Sequence, residues 1–470
     1  MKFGNAPVFA LVLFAASLAS NTSAKPNILV VVADQWRGQA FGYAGDPNVK
    51  TPNFDRLAAQ SVNFTYATSG ISVCSPFRAS LLTGQRPLTH GIFINDTPLN
   101  PDAATIGKSL KSAGYDTGFV GKWHVDGHGR SAFIPRERRQ GFDYWKVLEC
   151  THDYNHSPYY ADADEKLFWE GYDAIAQTHD VCDYLKAHRG KEKPFVMFLT
   201  WGPPHNPYGT APEKYKAMYS PDNIKLRPNV PPDSAAEAKK ELAGYYAHCT
   251  ALDDCMGEIL GTLKETGLED DTIVLFTADH GDMIHSHNEV RKQRPWEESV
   301  HTPMLLHWPK GLGKNGRVAE AMINTEDLMP TLLGLSGTEI PKGVEGHDFT
   351  GYLLKGEKDP SGGATVIACP SPFGEFTRIK GGREYRGVRT AQYTYVRDLN
   401  GPWLLFDNKA DPYQMQNLVG TPENSALQKK MDELLNQKLK EEHDDFRPGA
   451  DYIAKWGYKV DKNGTMPYKN

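Results

Sequence analysis

The stretch NILVVVADQ, residues 27–35, sets six apolar residues in a row before the polar pair Asp34-Gln35. A half-buried strand alternates apolar and polar residues. An unbroken run reads instead as a strand covered on both faces, the pattern of a parallel sheet. The same texture returns in PFVMFLTW (194–201), DTIVLFTADHG (271–281) and TPMLLHWP (302–309). Helical patterns separate these runs: NFDRLAAQS (53–61), TIGKSLKSAGY (105–115), a long one spanning 235–265, and TEDLMPTLLGLSG (325–337). Strands alternating with helices predict an α/β fold, a large, mixed, mostly parallel sheet sandwiched by helices.

Beyond Glu345 the runs become shorter, more polar and more aromatic. YRGVRTAQYTYVRD (385–398) and GPWLLFDN (401–408) read as antiparallel strands joined by a turn, and NSALQKKMDELLNQKLKEEHDD (424–445) as an amphipathic helix. The expected division is a leader over 1–24, a catalytic domain over 25–345 and a smaller α+β subdomain over 346–470. The leader reading rests on one lysine, an apolar run from Pro7 to Ala19 and small residues up to Ala24. These are the marks of a secretory signal peptide, with cleavage near Ala24 and export to the periplasm or the medium. The run is too short for stable membrane insertion.

With 470 residues, 40% hydrophobic and 23% charged, the composition is that of a globular protein. A net charge of −6 offers no general attraction to nucleic acid, so an anionic substrate needs a local basic site. Six cysteines are sparse for a disulfide framework in a chain of this length. Cys249 and Cys255 fall on different faces of one helical pattern and are not expected to bridge; pairing of Cys150 with Cys182 stays open.

Two of the buried runs end in polar pairs, Asp34-Gln35 and Asp279-His280. In open α/β sheets the ligand crevice lies beyond the carboxyl ends of the strands. Oxygen-rich donors there suit a hard cation, Ca²⁺ or Mg²⁺. GKWHVDGHG (121–129) puts Lys122 and His124 on one face of an extended segment. GPPHNPYG (202–209) sets His205 on a proline-stiffened loop, and RKQRPWEES (291–299) supplies Lys292. A lone histidine or lysine is usually a solvated surface residue. Joint placement at strand ends points to a site.

CSPFRASLLTG, residues 74–84, resembles the signature of the type I sulfatases, Cys-x-Pro-x-Arg followed after four residues by Thr-Gly. GKWH, PPHNPY, FTADHGD and KQRPWEES are similar to later motifs of that family, in the same order, across residues 26–345. A weaker echo follows in the tail. Phe77, Gln35 and His280 depart from residues common in the family, though Gln35 and His280 keep a lone pair for a metal. The resemblance implies an alkaline-phosphatase-like fold and conversion of Cys74 to Cα-formylglycine. A maturation enzyme performs that conversion, reading Pro76 and Arg78 in the unfolded chain. It further implies a divalent cation, Ca²⁺ or Mg²⁺, held by Asp34, Gln35, residue 74, Asp279 and His280. The hydrated aldehyde attacks the sulfur of a sulfate ester, while Arg78, Lys122 and Lys292 supply positive charge. His205 protonates the leaving oxygen, and His124 takes the proton of the second hydroxyl as sulfate departs.

The resemblance, together with the leader, implies a bacterial polysaccharide sulfatase. Its substrate is expected to be a sulfated carbohydrate, met by the segments around Trp36, Asn95, Asp96, His152, His156 and His287. Trp123, Trp145 and Trp169 serve equally as sugar platforms or as core. Two other readings stand beside it: a phosphoester or phosphonate hydrolase of the same superfold, and a non-catalytic carbohydrate-binding protein if Cys74 stays unmodified.

Overall fold

A computed structural model describes residues 25–468 together with Met1 and Gly4, so the expected leader and its cleavage point lie outside the described residues apart from those two. The main sheet has eight strands: β1 (Asn27–Asp34), β2 (Val62–Thr68), β3 (Asp116–Lys122), β4 (Tyr144–Leu148), β7 (Phe195–Pro204), β8 (Thr272–Ala278), β9 (Met304–His307) and β10 (Arg317–Asn324). A hairpin of two-residue strands, β5 (Pro158–Tyr159) with β6 (Leu167–Phe168), joins the sheet edge, where Tyr160 bridges Val147 of β4. The order across the main sheet is β10-β2-β9-β8-β1-β7-β3-β4.

The opening run forms the centre of this sheet. Leu29, Val31 and Ala33 point into one core, with Phe54, Tyr245 and Ile259. Ile28, Val30 and Val32 point into a second, with Phe77, Leu81 and Leu332. Both faces are buried, which is why β1 shows no alternation. The long helix Ala235–Thr266 covers the first face, and the helices Cys74–Thr83 and Leu328–Leu335 cover the second.

Seven strands run parallel, and β9 runs against β8 and β2. TPMLLHWP, read as one more parallel strand, is therefore corrected. Residues 279–303 return directly to the sheet without a long crossover helix, and a direct return pairs antiparallel. The strands β2, β4 and β10 and the helix Asp173–Ala187 escaped the sequence reading, because polar residues interrupt each of them.

A second sheet, β11 (Ala364–Cys369), β12 (Tyr385–Thr390), β13 (Tyr393–Asp398) and β14 (Gly401–Asp407), is antiparallel throughout. The helix Ser425–Glu441 lays Met431, Leu435 and Leu439 on Val388, Tyr395 and Leu405. The other face packs Ile367, Tyr385 and Val396 against Val300 and Trp296 of the larger unit. The change of texture after Glu345 does not coincide with the change of core. Phe349 and Leu353 still pack beneath the main sheet. All six cysteines are free and buried, so Cys150 and Cys182 do not pair.

Candidate active site

The helix Cys74–Thr83 carries its first residue to the carboxyl ends of β1 and β8. Pro76 fits in the first turn, where an N–H has no partner within the helix. Arg78 follows Cys74 by four residues, so both side chains share one face. Gly84 ends the helix in the left-handed region (φ 63°), and its N–H bonds Ser80 O.

Cys74 is 1% exposed. Its Sγ lies 3.3 Å from His280 Nε2, 3.4 Å from Lys292 Nζ and 3.8 Å from Asp34 Oδ1. Arg78 bridges the two carboxylates, with Nη2 at 3.2 Å from both Asp34 Oδ2 and Asp279 Oδ2. Its Nη1 donates to the Lys122 carbonyl at 2.6 Å. Lys122 Nζ donates to Asp34 Oδ2 at 2.6 Å. Burial alone would push Asp34 up, but Lys122, His205 and Lys292 outweigh it and hold the carboxyl well below its ordinary range. Asp279 goes the other way: burial, then the charge of Asp34, pushes it up to about 6.

One donor atom from each of Asp34, Cys74, Asp279 and His280 falls within a 4.8 Å group, all four residues buried. His280 Nδ1 faces the Gly281 carbonyl at 2.9 Å and must donate to it, which leaves the Nε2 lone pair for a cation. The Sγ of Cys74 occupies the place of an oxygen if that residue is converted to formylglycine. Two carboxylates, one imidazole and such an oxygen fit a hard divalent ion, and the upward push on Asp279 marks negative charge that such an ion would offset.

Gln35 stands beside this group. Its Oε1 accepts from Lys292 Nζ at 3.1 Å, its Nε2 donates to Asp282 Oδ2 at 2.6 Å, and its backbone N–H meets Asp279 Oδ1 at 2.9 Å. Lys292 also contacts His205 Nε2 at 2.9 Å. His124 Nε2 meets Asp96 Oδ1 at 3.3 Å, and its Nδ1 is buried without a partner. Gln35, Asp96 and His124 have φ values of 66°, 63° and 59°, left-handed conformations that cost a non-glycine residue stability. The surrounding bonds hold them there.

Cys74, Arg78, Lys122, Lys292, His205, Asp34, Gln35, Asp279 and His280 thus meet in one place. The residues expected to face a sugar divide differently. Trp36 is corrected: at 0% exposure it stacks on Phe41 and meets Phe54 and Phe276 edge-on, so no face is open to a ligand. Trp123, Trp145 and Trp169 are buried as well. Asn95 Oδ1 accepts from the Ser75 N–H at 3.0 Å and caps the first turn of the Cys74 helix. Asp96 has both oxygens engaged by Arg130, at 2.9 and 2.8 Å, besides His124. These are supports, not free sugar acceptors.

His152 is exposed and stacks on His205, centroids 4.6 Å apart, at the entrance. His156 stacks on Phe168 of the small hairpin. His287 stacks on Trp296 and bonds Asn229. Arg130 and Asp282 escaped the sequence reading. Asp282 closes the motif FTADHGD and Arg130 follows GKWHVDGHG, but their partners, Gln35 and Asp96, come from distant segments that spacing does not reveal.

Comparison with known proteins adds the following. The sulfatase family profile matches residues 26–338, and a profile described as "N-sulphoglucosamine sulphohydrolase, C-terminal" matches 286–441. An ulvan-active sulfatase of Formosa agariphila is 46% identical over 450 residues, 94% of this chain and 87% of the relative. An endo-4-O-sulfatase of Bacteroides thetaiotaomicron is 31% identical, over 88% of this chain and 92% of its own. The crystal structure of a putative sulfatase from Bacteroides fragilis superposes with a TM-score of 0.80 at 29% identity, covering 93% of this chain and 99% of that one.

Proposed function

The chain belongs to the sulfatase family of sulfuric ester hydrolases, and on that premise we propose that it is exported and removes sulfate from a polysaccharide of the ulvan type. We propose further that it uses a formylglycine made from Cys74 and a divalent cation, Ca²⁺ before Mg²⁺. The observation that carries the chemistry is Cys74 at the start of a buried helix, inside a four-donor group and 3.4 Å from Lys292 Nζ. The substrate class is supported by the 46% identity to an enzyme named as ulvan-active.

Asp34, Asp279 and His280, with residue 74, would hold the cation, and Gln35 stands beside them as the fifth expected ligand. There it would supply Lewis acidity, lowering the pKa of the oxygen on residue 74 and offsetting the charge of the sulfate. Formylglycine, as its hydrate, supplies a nucleophilic oxygen and a second hydroxyl that allows sulfate to leave. The chain itself does the remaining work. Lys122 and Lys292 place ammonium groups beside residue 74, where negative charge builds on the transferring group. Arg78 bridges the two carboxylates and holds them in place. The Lys292–His205 pair holds a proton for the leaving sugar oxygen. Asp96 orients His124, the residue proposed to receive a proton as sulfate departs. Against burial, the negative groups around it, Cys150 first, push the ring up to about 10, so it must give up its Nδ1 proton before it can accept one.

Protein produced together with a maturation enzyme is expected to release sulfate from ulvan oligosaccharides, and Cys74→Ala protein none. Peptide mass spectrometry should find an aldehyde in place of the Cys74 thiol. Full activity with an intact thiol, or faster turnover of the matching phosphate ester, overturns the reading.

A further inference from the structure

A cleft of about 280 Å³ lies between the segment after β1, the loop before the helix Ala235–Thr266 and the chain that follows β14. It shares no residue with the group around Cys74. Arg37, Arg227 and Lys225 line it, and Asp46 is the only carboxylate among its described lining residues.

That carboxylate is already engaged. Asp46 accepts from the Tyr246 hydroxyl at 2.8 Å and from the backbone N–H groups of Asn48 and Val49 at 2.8 and 3.2 Å. Arg37 is 1% exposed, yet its Nε has no partner and its Nη2 meets only the Tyr246 hydroxyl, at 3.3 Å. Arg227 engages Glu298 through Nε at 2.9 Å, and its guanidinium lies 4.8 Å from the Tyr413 ring centroid. Among the described residues, neither its terminal nitrogens nor Lys225 Nζ form a hydrogen bond or ion pair.

Arg37 lies buried in the wall and faces the charges of Asp46 and Glu298. The donors open to a ligand are therefore the terminal nitrogens of Arg227 and the exposed Lys225 ammonium, and these suit an anionic oxygen ligand. The planar fork of arginine matches the oxygens of a sulfate or a carboxylate, and Tyr413 adds a flat face for a sugar ring. We propose that this cleft is a second saccharide site, which holds a sulfated or uronate residue of the polysaccharide away from the reacting sulfate. The proposal rests on the polyanionic substrate argued above. Two linked contacts raise the effective concentration of the chain at the catalytic site without any change in the chemistry.

The test uses the full-length matured enzyme and its Lys225→Glu and Tyr413→Ala variants. Migration in gels containing ulvan reports binding, and turnover of ulvan and of 4-nitrophenyl sulfate reports catalysis. Each variant should bind ulvan more weakly by roughly threefold or more, as expected for a lost charged or stacking contact. KM on ulvan should rise, while kcat/KM on 4-nitrophenyl sulfate stays unchanged. Wild-type enzyme that desulfates ulvan but migrates and turns over identically to both variants overturns the second site. Wild-type enzyme that releases no sulfate from ulvan overturns the functional reading instead. If that protein is still retarded in ulvan through Lys225 and Tyr413, the site stands without it.

Discussion

Lys292 Nζ lies 2.9 Å from His205 Nε2, a contact between residues 87 positions apart. His205 Nδ1 faces the Asn206 carbonyl at 2.8 Å and donates to it, so Nε2 accepts and the ammonium donates. Burial, then the charge of Lys292, holds the imidazole well below its ordinary range. On the proposed mechanism, the general-acid role expected of His205 alone is therefore shared by the pair, with the proton on Lys292 until the leaving oxygen takes it.

His205→Asn is expected to slow release of sulfate from a sugar by about 10² to 10⁴, the usual contribution of general acid catalysis. A 4-nitrophenolate leaves without a proton, so 4-nitrophenyl sulfate should lose much less. Equal losses in kcat on the two substrates would place His205 outside leaving-group protonation.

Removal of the cation is expected to abolish turnover, and Ca²⁺ should restore it. Metal analysis of the active enzyme should find one ion per chain. Asp279→Ala should leave activity below about 1% of wild type, because a bound ion contributes several kcal/mol of charge stabilisation. Chelated, metal-free protein with an undiminished rate would remove the cation from the site.

The two units meet at an ion pair. Arg389 of β12, 2% exposed, donates to Glu297 through Nε at 2.6 Å and Nη2 at 2.5 Å. Arg389→Ala strands a buried carboxylate and should cost about 3–5 kcal/mol. The double variant Arg389→Met, Glu297→Leu should recover much of that loss. Urea denaturation of the three proteins measures both, and a single variant as stable as wild type refutes the claim.

His248, 0% exposed and 2.5 Å from the Tyr172 hydroxyl, is pushed down to about 4 by burial. An unfolded histidine titrates near 6.5, so between that pH and about 4 the unfolded chain binds more protons. Stability therefore falls as pH falls through this window. From pH 7 to pH 5 the loss from this ring should be about 2 kcal/mol. Denaturation curves for wild type and His248→Gln at both pH values isolate it; parallel losses would show that the ring does not contribute.

The sequence by itself determined the centre of the sheet, because NILVVVADQ and DTIVLFTADHG state their burial locally, residue by residue. It also marked out, by resemblance to the sulfatase signature, the segment of Cys74, Pro76 and Arg78, and a spacing of four puts Cys74 and Arg78 on a shared helix face. The tertiary structure alone decided what gathers around them. Asp34, Lys292 and His280 reach Cys74 across 40, 218 and 206 positions, distances over which spacing carries no geometry. Local signals also failed wherever a side chain had competing partners. Trp36 was drawn into the core by three aromatic rings, Asp96 was taken by Arg130 and His124, and Asn95 was turned to a helix N-terminus. Composition tells which groups a chain can offer a ligand. Packing decides which of them remain free to meet one.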